Sequence, residues 1–161
     1  MKKLPFFLLL PAILCGCPTV GHGEFDVAAY LDGAPGTKVR LSYTEQDGAS
    51  EDGRSNRLTE KEAELPLIVV YPFYLLAVDG GQPYFQAEFA AGSGVRIYLE
   101  TVARKESDSI RSLNGTSDPQ TVRKLLDGRL AEDAESGRDS SSRFKEAAAG
   151  ETFIRFGNPP E

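Results

Sequence analysis

The sequence has no tryptophan, one methionine, one histidine and two cysteines in 161 residues. So few imidazoles and thiols leave no ligand set for a zinc site of the His and Cys type. The one histidine, His22, stands five residues after Cys17 in a Gly-rich stretch. A general base must hold its proton partner at about 3 Å, which a linker does not do, so His22 reads as exposed linker. No serine lies in a G-x-S-x-G setting. The phosphate- and dinucleotide-binding glycine motifs are missing from any strand-to-helix junction, and Gly92-Ser93-Gly94 reads as a hairpin turn. Basic residues are also few, 18 against 24 acids, for a net charge of −6. Nucleic-acid proteins normally carry a basic face, so that class of partner is not expected. Nor is a metal expected. The acidic stretch Glu45 to Glu64 lacks the spacing of a calcium loop. No cofactor and no catalytic residue is predicted.

What is present first is an address. Met1-Lys2-Lys3 gives a positive end, and Leu4 to Leu14 is apolar apart from Pro5 and Pro11. A small residue, Gly16, follows. This is the layout of a secretory signal, and the run is about half the ~20 residues a spanning helix needs. No other stretch reaches that length. Leu14-Cys15-Gly16-Cys17 resembles a bacterial lipobox, Leu-x-Gly-Cys. The resemblance implies a signal peptide over 1–16, cleavage between Gly16 and Cys17, diacylglyceryl attachment to the Cys17 sulfur and acylation of the new amino terminus. Cys15 departs from the small residue usual at that position, and with Leu14 before it is not itself a modification site. An ordinary signal leaving Cys17 as a free thiol is the alternative. Each buried methylene is worth ~0.8 kcal/mol, so two or three acyl chains anchor where one holds marginally. Pro18 stands where an Asp would signal inner-membrane retention in enteric bacteria, which by the same resemblance favours the periplasmic face of the outer membrane. Residues 17–24 read as the lipidated tether. Removing the signal takes two lysines with it, moving the net charge to about −8. It also leaves one cysteine, which excludes an intramolecular disulfide.

Aromatic residues divide the rest. Phe25, Tyr30, Tyr43, Tyr71, Phe73, Tyr74, Tyr84, Phe85, Phe89 and Tyr98 fall in one span, and none occurs from Leu99 to Arg143. The core is therefore predicted within 25–103. Its apolar period is two: Phe25, Val27, Ala29 and Leu31; Val39, Leu41 and Tyr43; Phe85, Ala87 and Phe89; Val95, Ile97 and Leu99. The residues between them, such as Arg96, Tyr98 and Glu100, are assigned to solvent. Leu67 to Val78 is continuously apolar, with Pro72 marking a bulge or break. Five or six strands separated by Gly and Asp turns predict a mainly β protein, a small antiparallel sandwich. Asp32 to Leu41 resembles the opening of transthyretin-like, carboxypeptidase-regulatory-like modules, which implies the same fold class.

Two charged segments complete the reading. Glu45 to Glu64 carries seven acids and three bases, read as an exposed loop with a helical turn capped by Thr59. Residues 104–161 read as a charged extension. From Arg104 to Arg143 there are eight acids and eight bases in 40 residues, predicting a mobile segment with one helix starting at Asp118-Pro119. Its stripe of Val122, Leu125, Leu126 and Leu130 is expected to dock on its own domain. Arg143 to Ala149 reads as a second short helix and Thr152 to Phe156 as a last strand. The expected function is binding or scaffolding in the cell envelope, with the membrane engaged through the lipid and a protein partner. A small carboxylate-dependent hydrolase of envelope polysaccharide is the alternative, since two acids 5–10 Å apart can cleave glycosides.

Overall fold

A computed structural model describes residues 23–49, 51, 55–75, 82–116 and 118–160. Leu14, Cys15, Gly16, Cys17 and His22 lie outside them. The chain is mainly β. In order come β1 (Gly23–Asp32), β2 (Lys38–Gln46), β3 (Asn56–Glu64), β4 (Leu67–Leu75), β5 (Phe85–Phe89), β6 (Arg96–Ala103), α1 (Arg104–Arg111), α2 (Pro119–Glu135), β7 (Phe144–Glu146) and β8 (Phe153–Phe156). They form two antiparallel sheets: sheet A, ordered β4-β1-β6-β7, and sheet B, ordered β3-β2-β5-β8.

The two-residue period decides what packs where. Val27, Ala29 and Leu31 of β1 meet Val39, Leu41 and Tyr43 of β2 between the sheets, with Phe85, Ile97 and Phe156 completing the layer. Alternate residues face opposite sides of a strand, so a slip of one position would expose this whole set. The other side of sheet A is also buried. Ala28, Tyr30, Ile68, Val70 and Tyr98 form a second core with Ile110 of α1 and Val122 and Leu126 of α2. The molecule is therefore three layers: helices, sheet A, sheet B.

That roof corrects several expectations. Arg96, Tyr98 and Glu100 were assigned to solvent, yet they sit beneath α2, with Tyr98 fully buried. The segment 104–143 is two docked helices. Asp118 caps α2 as predicted, its side chain accepting the Thr121 N–H. The turn at Thr59 is strand: Asn56–Glu64 pairs with β2 over nine residues, and that ladder overrides the local capping signal. Arg143 to Ala149 holds β7 instead of a helix, and β7 pairs with Arg96, Ile97 and Tyr98 of β6. The last strand, β8, adds to β5, so one strand of each sheet comes from beyond residue 103. The turns at Asp32–Thr37 and Ala90–Val95 cross from one sheet to the other, so the second is not the expected hairpin.

Pro72 makes no break. The β1–β4 register runs through it, Asp26 opposite Pro72. In an antiparallel ladder every second residue turns its N–H and C=O to the far side. In β4 those residues are the even ones, so the N–H that Pro72 lacks would have faced the free edge. Four other groups on that edge have partners. The Gly115 N–H donates to the Ile68 carbonyl, Val70 N–H donates to Asn114 Oδ1, and Tyr74 exchanges two bonds with the Asn56 side chain. Gly115 reaches Ile68 from a φ of 78°, a conformation that favours glycine.

Truncating the roof should cost as much as truncating a core. Leu126→Ala should lower unfolding free energy by about 2–5 kcal/mol, and Leu58→Ala, at an exposed site, by less than about 0.5 kcal/mol. Urea titration checks both; equal losses would show that α2 does not hold the fold.

Candidate functional site

Roof and sheet meet through ion pairs at three buried aspartates. Asp26, fully buried on β1, accepts from Ser107 Oγ and Arg111 Nη2, with Arg104 Nε 3.6 Å from its other oxygen. Asp32, at the far end of β1, is paired with Arg96 of β6 and, at 3.3 Å, with Arg123 of α2. Asp133 of α2 accepts from the Tyr98 hydroxyl and from Arg143, both at 2.8 Å. Between them the Tyr30 hydroxyl donates to Glu100 at 2.9 Å, and Arg129 of α2 donates to the same carboxylate at 3.0 Å. Burial and the Glu100 charge push the Tyr30 hydroxyl well above its ordinary pKa; burial and Asp133 do the same to Tyr98. These groups are fixed by neighbours that cross between layers. Their chemistry is docking: each acid is held by a base from a helix, a strand or a closing segment.

Sheet B is different, because among the described residues its outer face carries no helices. Strand register lays side chains out there in rows. Glu60, Ser42, Gln86 and Arg155 make one row; Glu62, Arg40, Glu88 and Phe153 make the next. The rows are tied together. Tyr84 Oη donates to Gln86 Oε1, Gln86 Nε2 donates to Glu88 Oε1 at 2.9 Å, and Arg155 Nε donates to Gln86 Oε1 at 2.8 Å. Arg40 is bonded to Glu88. The Glu88, Glu60 and Glu62 carboxylates raise the Arg40 pKa further. Leu58 and Phe153 flank this polar centre on β3 and β8, 48% and 49% exposed. A shallow groove of about 630 Å³ opens at one end of sheet B, lined by Lys38, Arg40, Glu62, Glu64, Glu88 and Phe89.

The proposed lipid site, Leu14 to Cys17, lies outside the described residues. The first described residue, Gly23, pairs with Leu75 at the start of β1, beside the Glu24–Arg104 ion pair. Sequence reasoning marked Arg40, Gln86 and Glu88 only as the polar halves of alternating strands. Phe153 was visible as part of a last strand, but nothing local says it lies beside Glu88. Among the described residues no helix is long and apolar enough to cross a membrane, and no group of three or more His, Cys, Asp or Glu is placed to hold a metal ion.

The docking pairs have a measurable pH signature. Burial alone would raise the Asp32 carboxyl, but hydrogen bonds and charge from Arg96 and Arg123 outweigh it and hold it below the ordinary value. A lowered carboxyl adds stability above its unfolded pKa, and that stability is lost as pH falls through the folded one. Asp32→Asn should therefore be less stable than wild type near neutrality, by about 1–3 kcal/mol, with the gap closing toward about pH 3. Urea midpoints at the two pH values decide it; a constant gap would count against the pairing. Comparison with known proteins adds no relative: no family model, no curated protein and no solved structure matches this chain.

Proposed function

We propose that this chain is a bacterial lipoprotein, anchored by an acylated Cys17, that works as a binding or scaffolding module at the periplasmic face of the outer membrane. The observation that carries the binding role is the contrast between the two outer faces. Sheet A is covered by α1 and α2. Among the described residues no helix covers the outer face of sheet B, whose side chains are networked and whose large exposed apolar residues are Leu58 and Phe153. Large exposed apolar side chains such as these are the kind of contact a protein interface buries, with polar groups beside them to fix orientation. The lipidated end rests on the Leu14-Cys15-Gly16-Cys17 sequence and its place after an apolar run. Five residues stand between Cys17 and Gly23, a reach of about 20 Å when fully extended, so the anchor would keep the sandwich close to the bilayer.

Two experiments test the two halves separately. With a labelled fatty acid, Cys17→Ser should abolish lipid attachment and Cys15→Ser should preserve it; label retained on the Cys17 variant would overturn the anchor. For the face, a photo-crosslinking residue at Phe153 should capture a discrete envelope protein in intact cells. The same residue at Lys124, on the roof, should not. Equal capture from both positions would mean that the bare face has no special role.

A further inference from the structure

We propose that the free edge of β3 takes up an extended, lysine- or arginine-bearing segment of a partner protein, which joins sheet B as a fifth strand. The inference rests on the reading of sheet B as a binding face and names the chemistry of what binds.

The edges of the two sheets are treated unequally. Sheet A ends on β4, where the Ile68 carbonyl, the Val70 N–H and both groups of Tyr74 are met by Gly115, Asn114 and Asn56, and where Pro72 offers no N–H. It also ends on β7, three residues long, and sheet B ends on β8, four residues long. The remaining edge is β3, nine residues long and paired with β2 along its whole length on one side only. Among the described residues, no backbone group from Arg57 to Glu64 is hydrogen-bonded outside that ladder. An extended strand with such an edge is a template for strand addition.

Charge selects the occupant. Glu60, Glu62 and Glu64 stand at every second position on the bare side of β3, a spacing of about 6.7 Å. Among the described residues none of the three carboxylates makes a hydrogen bond or a close ion pair, though Glu60 and Glu62 add charge beside Arg40. The nearest base across the ladder, Arg40, is committed to Glu88. A second copy of the chain is a poor guest. If two β3 strands pair antiparallel with their bare faces on one side, like charges oppose each other in every well-overlapped register. Glu60 meets Glu60, Glu62 or Glu64, or else Arg57 meets Lys61. Like charges directly opposite one another destabilise a strand pair. A segment with bases at alternate positions meets the three acids instead, and an apolar residue at the matching position covers Leu58. The net charge of −6 also draws a basic partner toward the molecule.

The test uses the purified full-length chain in detergent and a fluorescent nine-residue peptide alternating lysine with threonine or valine. Two control peptides carry glutamate for lysine, or N-methyl groups on alternate backbone nitrogens. The basic peptide should bind, with new amide-exchange protection confined to 56–64. The glutamate peptide should not bind, and N-methylation of the bonding edge should abolish binding while leaving charge intact. Glu60→Lys combined with Glu62→Lys should weaken binding about tenfold. Glu62→Gln, which adds no opposing charge, should weaken it less; a native circular dichroism spectrum qualifies both variants. Binding indifferent to N-methylation, protection elsewhere, or no binding would each overturn the proposal. None of these outcomes depends on acylation of Cys17. Loss of peptide binding with continued capture through Phe153 would overturn strand addition and leave the binding role standing.

Discussion

Burying both faces of β1 puts two carboxylates, Asp26 and Asp32, out of water at opposite ends of one strand. An uncompensated buried charge costs several kcal/mol, so neither can stay there without a base. The bases come from Arg104 and Arg111 for Asp26, and from Arg96 and Arg123 for Asp32. Three of those four arginines belong to α1 or α2. The helices therefore do more than shield Ala28, Tyr30, Ile68 and Val70. Their register along the sheet is set by where the aspartates lie, with Arg129 on Glu100 and Asp133 on Tyr98 fixing the remaining length of α2. Apolar contacts between Leu126, Val122 and the sheet favour closeness in general; the ion pairs choose one position.

How far this was legible depends on range. The inward set Val27, Ala29, Leu31, Val39 and Leu41 follows from period two alone, because a half-buried strand needs nothing more distant than its own alternation. The start of α2 at Asp118 is likewise local. The roof was not legible. Asp26, Tyr30, Asp32, Arg96 and Glu100 look like a solvated face until their partners, 29 to 91 residues away, are known. Thr59 to Glu62 fits a helix cap in isolation and becomes strand because β2 offers a ladder. The outer face of sheet B is an intermediate case: Arg40, Gln86, Glu88 and Arg155 each read as polar, but only the order β3-β2-β5-β8 makes them neighbours. The proposed lipid attachment rests on sequence alone, Leu14 to Cys17.

Asparagine side chains do unusual duty in this fold. An amide carries a donor and an acceptor in the geometry of a peptide group, so it can stand in for a missing strand. Asn56 does this for both groups of Tyr74, and Asn114 does it for Val70. Together with Pro72 they close an otherwise apolar edge without adding a backbone strand. The edge of β3 is guarded only by charge, and charge discriminates among partners where an amide plug would refuse them all.

The position of β7 and β8 also bears on when the molecule can finish folding. A chain made from its amino terminus presents β5 and β6 long before their outer neighbours exist. The Gln86–Arg155 bond alone spans 69 residues. Until residue 156 is available, the Phe85 to Phe89 strand lacks its second partner and Phe156 is missing from the core. Long-range pairings of this kind are slow to form. Completion is thus tied to synthesis of the last strand, which leaves the growing polypeptide unfinished and pliable for most of its production.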